Sequence, residues 1–304
     1  MASKTADSRK IDSRIRRFIR WLKNDNIDYE TYFLPYAELL LAGLSHRILT
    51  IVIIDGSVVG RNCVSMMADV IYKQRAIPIC WITRDENKGH LPEAMHIALV
   101  KQLKRLIPPN TTVIFLGDGE FDGANLIKII QKNGWLFVLR TSKNRILVEQ
   151  GEAFCLYQVA VGKRQHFRIP QVHFAENDDL IFDAVIWWKK QYQEPIYLVT
   201  NIELAPEATY WYKKRFKIET MFSDKKSLME LADAQIRSPE SVARNPQFTV
   251  AVYSLLLLAS INAYGPSRTT DYLPDPKWHK RKEKNNKHPS QGCSILKFHK
   301  RFMT

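Results

Sequence analysis

Apolar runs of strand length alternate with stretches of helical periodicity along the first half of the chain. The strand-length runs occupy residues 49–54, 77–83, 111–116 and 135–140. Residues 92–106 and 121–132 place apolar side chains three and four positions apart, which is typical of amphipathic helices. Strands that are apolar throughout are buried on both faces. The pattern therefore predicts an α/β fold with a mixed sheet flanked by helices.

The second half of the chain has a different pattern. Residues 145–203 form short alternating runs separated by turns, which predicts a mostly β insertion. Helical spacing returns at about 207–231. The most apolar stretch, Phe248–Ala263, is too short for a comfortable membrane span and contains polar residues, so we predict a buried helix and no membrane contact. The N-terminus has no apolar signal core.

The excess positive charge lies at the two ends of the chain. The net charge is +14, from 45 basic and 31 acidic residues. Residues 1–24 hold eight Lys/Arg against two Asp, and residues 265–304 hold ten Lys/Arg against three acids. Basic arms around a nearly neutral body favour a polyanionic partner, with nucleic acid as the first candidate. The alternative is that the arms only keep the chain soluble. The helical pattern at 11–22 allows the same two interpretations, since its arginines could contact DNA or form a solvated face.

Two carboxylates follow buried runs of the predicted sheet. Asp55 comes after the run 49–54, and Asp118 comes after the run 111–116. Functional groups collect at such strand ends in α/β sheets. Two acids sharing one site repel each other, which favours a raised pKa or a bound cation. The alternative is that each Asp only starts a turn, because Asp-Gly is a common turn pair. Glu120 and Asp122 are rival ligands in the second loop.

A row of polar side chains falls on one face of the helix predicted at 207–231. Tyr212, Arg215, Glu219 and Lys226 are separated by three, four and seven positions. Such steps return to the same helix face. Glu219 alone could be a surface acid paired with Arg215. A surface ion pair, however, explains neither the row of four polar residues on one helix face nor the two acids at the strand ends.

Tyr212, Arg215, Glu219 and Lys226 match the Y-(2)-R-(3)-E-(6)-K signature without a gap. With Asp55 and Asp118 in the same order, the chain resembles the DDE transposases of bacterial insertion sequences that carry this signature, over roughly residues 45–262. The resemblance implies a ribonuclease H-like fold, with the β insertion before the helix that carries the third acid.

The resemblance also implies the chemistry. Asp55, Asp118 and Glu219 would be the catalytic acids and would hold two divalent metal ions, Mg²⁺ with Mn²⁺ as a substitute. Water would nick the end of the element, and the freed 3′-OH would then attack a second strand or target DNA. This is metal-dependent strand cleavage and strand transfer, without a small-molecule substrate. The alternatives are a nuclease of the same fold without strand transfer and a catalytically silent DNA-binding relic.

Further expectations concern DNA contacts and partners. Tyr212, Arg215 and Lys226 match the family's phosphate-contacting positions, and their side chains suit that role. Trp187 or Trp188 could stack a flipped base, although packing is the alternative. The resemblance implies a homodimer on DNA that joins element ends to target DNA. The expected place is a prokaryotic cytoplasm, in association with the nucleoid, and the four cysteines show no metal-binding or redox spacing.

Five regions follow from these patterns. They are a short basic helical N-terminal region at 1–45, the first part of the catalytic core at 46–144, the β-rich insertion at 145–205, the second part of the core at 206–264 and a basic irregular tail at 265–304. The N-terminal region could be a truncated DNA-binding domain or simply a short variant of one.

Overall fold

The structure is a computed structural model that describes residues 11–45, 49–59, 62–72, 75–85, 91–228, 236 and 238–264. The side chains of residues 224–228 and 256–264 lie outside this description, as does the predicted basic tail. The helices are α1 Ile11–Leu22, α2 Tyr29–Tyr32, α3 Leu34–Ser45, α4 Glu93–Leu106, α5 Ala124–Lys132, α6 Ala205–Lys214, α7 Phe216–Leu228 and α8 Pro239–Tyr264. The strands are β1 Leu49–Val58, β2 Cys63–Tyr72, β3 Arg75–Asp85, β4 Thr112–Gly117, β5 Leu136–Arg140, β6 Ile146–Glu149, β7 Glu152–Cys155, β8 His166–Phe174, β9 Asn177–Trp187 and β10 Ile196–Thr200.

All ten strands of the described residues join one mixed sheet. Its order is β3-β2-β1-β4-β5-β10-β9-β8-β6-β7. The pairs β1–β4 and β4–β5 are parallel, and the other pairs are antiparallel. Helices α4, α7 and α8 contact β3, whereas α5 and α6 contact β5. The predicted mixed α/β sheet flanked by helices is confirmed.

The first hairpin of the sheet extends further than the apolar pattern predicted. β1 continues through Asp55, which pairs with Met67 of β2, so Asp55 lies within a strand and not after one. β2 was not predicted, because Ser65 and Asp69 interrupt its apolar run, yet both residues are buried. The sequence pattern therefore predicted no strand here, and the pairing with β1 and β3 defines it.

The predicted β insertion extends the sheet instead of forming a separate layer. Its strands β6 to β9 are antiparallel, and β9 pairs with β10, which in turn pairs with β5 of the core. The buried residues of both parts form one cluster, including Phe137 from β5 and Val185 from β9. The insertion and the core therefore share a hydrophobic core.

Helix α1 packs on α8 through aromatic side chains. The Phe18 and Trp21 rings lie 6.0 and 6.2 Å from the Phe248 ring, measured between centroids. The Arg244 guanidinium donates to the Leu22 carbonyl oxygen at 2.9 Å and to Asp25 Oδ1 at 2.7 Å. Arginines 16, 17 and 20 of α1 are exposed. The helix therefore packs on the body and presents a basic face to solvent, which is compatible with both sequence alternatives.

Helix α8 contains the most apolar stretch of the chain but is not buried all round. Val250 and Tyr253 are buried, while Phe248 and Leu255 are 43% and 61% exposed. The helix thus presents one face to the core and another to the surface. Of the helices in the described ranges, none is long and apolar enough to cross a membrane.

Candidate active site

The parallel pairing of β1 and β4 brings two acids to the same end of the sheet. The last paired residues are Ile53 and Leu116. Asp55 and Asp118 each lie two positions beyond this pair, so the register places them at the same level. Asp55 is held within β1 by its pairing with β2, and its side chain is 17% exposed. The predicted meeting of the two acids at this edge of the sheet is therefore what the strand register produces.

A tight turn after β4 fixes the direction of Asp118. The Phe121 N–H donates to the Asp118 carbonyl oxygen at 3.1 Å, and the Glu120 N–H donates to Asp118 Oδ1 at 3.1 Å. A Cβ atom on Gly117 would lie 2.9 Å from atoms of Leu139 and Phe121. Glycine is required at this position because the strand end packs directly on these two side chains.

The rival acids of this loop are engaged elsewhere. Glu120 Oε1 accepts a hydrogen bond from the Leu91 N–H at 2.7 Å and lies 3.6 Å from Nε2 of the buried His96. Asp122 Oδ2 accepts from the Thr141 hydroxyl at 2.6 Å. Asp122 does not cap α5, whose N-cap is Gly123. Glu120 therefore ties the Asp118 turn to the segment before α4. No local sequence pattern predicts this contact, because the two residues are distant in the sequence.

Replacing Glu120 tests this tether. Glu120→Ala leaves the partly buried Leu91 N–H without an acceptor, and we expect a loss of about 1–3 kcal/mol in the free energy of unfolding. Glu120→Gln keeps an amide oxygen for the same bond, so it should retain most of that stability. Urea unfolding of the two variants measures the difference. Equal stability of the Ala and Gln variants would contradict the tether.

The helix predicted at 207–231 is divided at Arg215. Helix α6 ends at Lys214 and α7 begins at Phe216, while Arg215 itself keeps right-handed helical angles, with φ −51° and ψ −38°. The Arg215 N–H donates to the Tyr212 carbonyl oxygen, and the Arg215 carbonyl oxygen accepts from the Ile218 N–H. Both bonds span three residues, which tightens the turn at this point. The predicted single helix is therefore two helices joined at the arginine.

Arg215 lies between two of the predicted catalytic acids. Its Nη1 is 3.3 Å from Asp55 Oδ2, and its Nη2 is 2.7 Å from Glu219 Oε1. The arginine side chain is 8% exposed, and that of Glu219 is 44% exposed. The contact of Arg215 with Glu219 was foreseen from their spacing, whereas the contact with Asp55 depends on the packing of α7 against β1.

The surroundings of Asp55 change the pKa of its carboxyl strongly. Burial raises the pKa of the Asp55 carboxyl to about 7, and the nearby Asp118 carboxylate adds to this rise. The Arg215 guanidinium lowers the pKa in part, and Glu219 raises it slightly. Three acids are therefore near enough to interact, and the single guanidinium does not fully offset their repulsion.

Tyr212 is fully buried behind the arginine. Its side chain is 1% exposed, and burial raises the pKa of its phenol. The Arg215 guanidinium carbon is 5.9 Å from the Tyr212 ring centroid and 5.0 Å from that of Phe216. As placed, Tyr212 supports Arg215 and does not face solvent. Its phosphate contact stays a prediction, as does that of Lys226, which is in α7 but whose side chain lies outside the described residues.

The two predicted tryptophans differ in burial. Trp187 is buried, and its ring stacks on His166 with centroids 6.0 Å apart. The Lys213 Nζ lies 4.9 Å from the Trp187 ring centroid. Trp188 is half-buried, and its Nε1–H donates to the Tyr192 carbonyl oxygen. Trp187 therefore takes the packing role, and base stacking by either residue stays a prediction.

The donor set of the acid cluster fits a hard divalent cation. Asp55, Asp118 and Glu219 offer only carboxylate oxygens, which Mg²⁺ and Mn²⁺ prefer. Burial is the main cause of the raised pKa of Asp55, and the neighbouring Asp118 carboxylate adds to it. Within the described ranges, however, no three His, Cys, Asp or Glu side chains stand in a metal-binding arrangement. Arg215 lies between two of the three acids.

A family model of the transposase DDE domain matches residues 50–255. Because the match covers more than half of the chain, the protein belongs to this family of DDE transposases. None of the curated proteins compared with the chain matches it.

Two solved structures illustrate the similarity. A piggyBac transposase synaptic complex with hairpin DNA is 11% identical, with a TM-score of 0.41, and the alignment covers 92% of this chain and 68% of that chain. The catalytic domain of human endonuclease V is 14% identical, with a TM-score of 0.29, and the alignment covers 68% of this chain and 83% of that chain.

The family membership establishes the class of enzyme to which the protein belongs. The protein is a DNA-cleaving and DNA-transposing enzyme that acts in DNA transposition, as the sequence predicted. DNA is its partner, and dependence on a divalent metal is general in the family.

Proposed function

We propose that Asp55, Asp118 and Glu219 are the catalytic residues and that together they hold two Mg²⁺ ions, for which Mn²⁺ can substitute. The observation that carries this proposal is that the Arg215 guanidinium contacts Asp55 of β1 and Glu219 of α7, while Asp118 in the turn after β4 lies near enough to raise the pKa of Asp55. When bound, such ions stabilise the charge that develops on the attacking and leaving oxygens of phosphoryl transfer. Recognition of the DNA depends on the protein's own side chains.

Those side chains bind and orient the DNA backbone. Arg215 and Lys226 are the proposed phosphate contacts, because a guanidinium can grip a phosphate through two hydrogen bonds and an ammonium supplies a point charge. Tyr212 packs against Arg215 and limits the directions that the guanidinium can take. The lysines at 213 and 217 add sequence-independent attraction along the same helices.

The proposed reaction has two stages. Water first cleaves a strand at the end of the element, and the freed 3′-OH then attacks target DNA. Two element ends must be cut together, so we expect a homodimer on DNA. The exposed arginines of α1 offer a further basic surface on the same body. The expected place of action is the nucleoid of a prokaryotic cytoplasm.

The test is strand cleavage and strand transfer on a duplex that carries the element's own ends, with Mg²⁺ or Mn²⁺. The expected products are a nicked end with a 3′-OH and a joint molecule with a second duplex. Cutting without joining would replace strand transfer with simple nuclease activity. Salt-sensitive DNA binding without any cutting would identify a silent DNA-binding relic, and the proposal would fail.

A further inference from the structure

The Arg215 guanidinium occupies the space between two of the three proposed metal ligands. It contacts Asp55 at 3.3 Å and Glu219 at 2.7 Å, and it is almost fully buried. We propose that Arg215 is an internal counter-ion of the metal site: it holds these two acids together when no metal is bound, and it must withdraw before a divalent cation can enter. This inference rests on the proposed assignment of the acids as metal ligands.

A metal ion and the guanidinium exclude one another at this position. A carboxylate oxygen that binds Mg²⁺ lies about 2.0–2.1 Å from the ion. Asp55 Oδ2 and Glu219 Oε1 instead direct their lone pairs at the two Nη atoms of Arg215. Two cations in the same small space would also repel each other strongly in this largely buried site. Binding of a metal through these two oxygens therefore has to break both ion pairs.

The arginine is placed where such a withdrawal is feasible. It lies at the junction of α6 and α7, where the helix hydrogen bonding changes. Its buried Nε has no hydrogen-bond partner among the described residues, so the head group is held by the two Nη contacts and by the Tyr212 and Phe216 rings beside it. The neighbouring Phe216 ring is 38% exposed and offers the guanidinium a cation–π surface toward solvent.

The withdrawn guanidinium is then free to bind a DNA phosphate. A phosphate oxygen can replace the carboxylate partners that Arg215 loses, and the metal can replace the cation that the acids lose. Each ligand thus removes the competitor of the other, so binding of metal and of DNA becomes positively coupled. The coupling would keep the acids paired internally until DNA is present.

The first test measures Mn²⁺ affinity of the full chain without DNA, from the electron paramagnetic resonance signal of free Mn²⁺. We compare wild type with Arg215→Gln and with Lys214→Gln. The latter removes the same charge from the adjacent residue, whose Nζ lies over the Tyr210 ring and not on the acids. If Arg215 competes with the metal, Arg215→Gln should bind Mn²⁺ about tenfold more tightly, a coupling of ordinary size. Lys214→Gln should stay within about twofold of wild type, because its charge acts only at longer range.

A second measurement uses the wild-type protein and does not depend on the variant's folding. Addition of a short duplex without element ends should tighten Mn²⁺ binding by about fivefold or more. Unchanged Mn²⁺ affinity in both Arg215→Gln and the DNA-bound wild type would overturn the inference. Asp118→Asn separates this result from a failure of the proposed function: if Asp118→Asn also leaves Mn²⁺ affinity unchanged, the proposed metal site itself is wrong.

Discussion

Asp118→Asn should abolish strand cleavage and strand transfer while the protein stays folded. Asn is isosteric with Asp, and its Oδ1 can still accept the hydrogen bond from the Glu120 N–H, so the turn after β4 is retained. What is lost is the negative charge that a divalent cation requires. Since such a cation contributes several kcal/mol of transition-state stabilisation, we expect the cleavage rate to fall by about 10³-fold or more. The measurement is single-turnover cleavage of an element-end duplex.

Asp122→Asn is the matched control for this prediction. It changes a carboxyl of the same loop, but that carboxyl is bonded to the Thr141 hydroxyl, and Asn can still accept this hydrogen bond. The cleavage rate of Asp122→Asn should therefore remain within a few-fold of wild type. Comparable loss in both variants would mean that the loop as a whole is sensitive, and retained cleavage in Asp118→Asn would remove Asp118 from the catalytic set.

The order of the acids along the chain carried much of the family prediction, which the match over residues 50–255 confirms. Asp55 and Asp118 were recognisable because each closes an apolar run, and apolar runs are what strands buried on both faces require. The parallel register of β1 and β4 then explains why they meet. The register itself could not be predicted, because it depends on pairing between residues that are 63 positions apart in the sequence, such as Ile53 and Leu116.

Elements that depend on tertiary packing escaped prediction. The strand β2 contains the buried polar residues Ser65 and Asp69, and its identity comes from pairing with β1 and β3. The helix spacing of Arg215 and Glu219 predicted their contact, but the same spacing suggested one continuous helix. The ion pair of Arg215 with Asp55 spans 160 positions, so no local pattern could indicate it.

The loop after β4 shows the same limit. Asp118-Gly119 was recognisable as a turn from its residue types alone. The need for glycine at 117, however, comes from the side chains of Leu139 and Phe121, which leave no room for a Cβ atom. Likewise, Glu120 was a candidate ligand by sequence, and only its contact with the Leu91 N–H shows where its carboxylate is engaged. The sequence identifies the candidate acids, and tertiary packing determines which of them lie together in one site.

Asp55→Asn should stabilise the metal-free protein at pH 8. The pKa of Asp55 is raised to about 7 in the folded state, against an ordinary value of 3.8. Between these two values the folded state holds a proton that the unfolded state has released, so wild-type stability falls as the pH rises through this window. The Asn variant lacks this penalty. We expect it to gain about 1–3 kcal/mol in the free energy of unfolding at pH 8, since its amide oxygen can still accept from Arg215.

The pH dependence distinguishes this effect from a general gain in packing. The advantage of Asp55→Asn should be largest above pH 7 and should shrink toward zero below about pH 3, where the wild-type carboxyl is protonated in both states. Urea unfolding with EDTA at pH 5 and pH 8 measures it. Asp179→Asn is the control of opposite sign, because the pKa of Asp179 is lowered by its hydrogen bond to Lys128. A pH-independent gain, or a loss at pH 8, would show that burial and the neighbouring acids do not raise the pKa of Asp55 in the metal-free site.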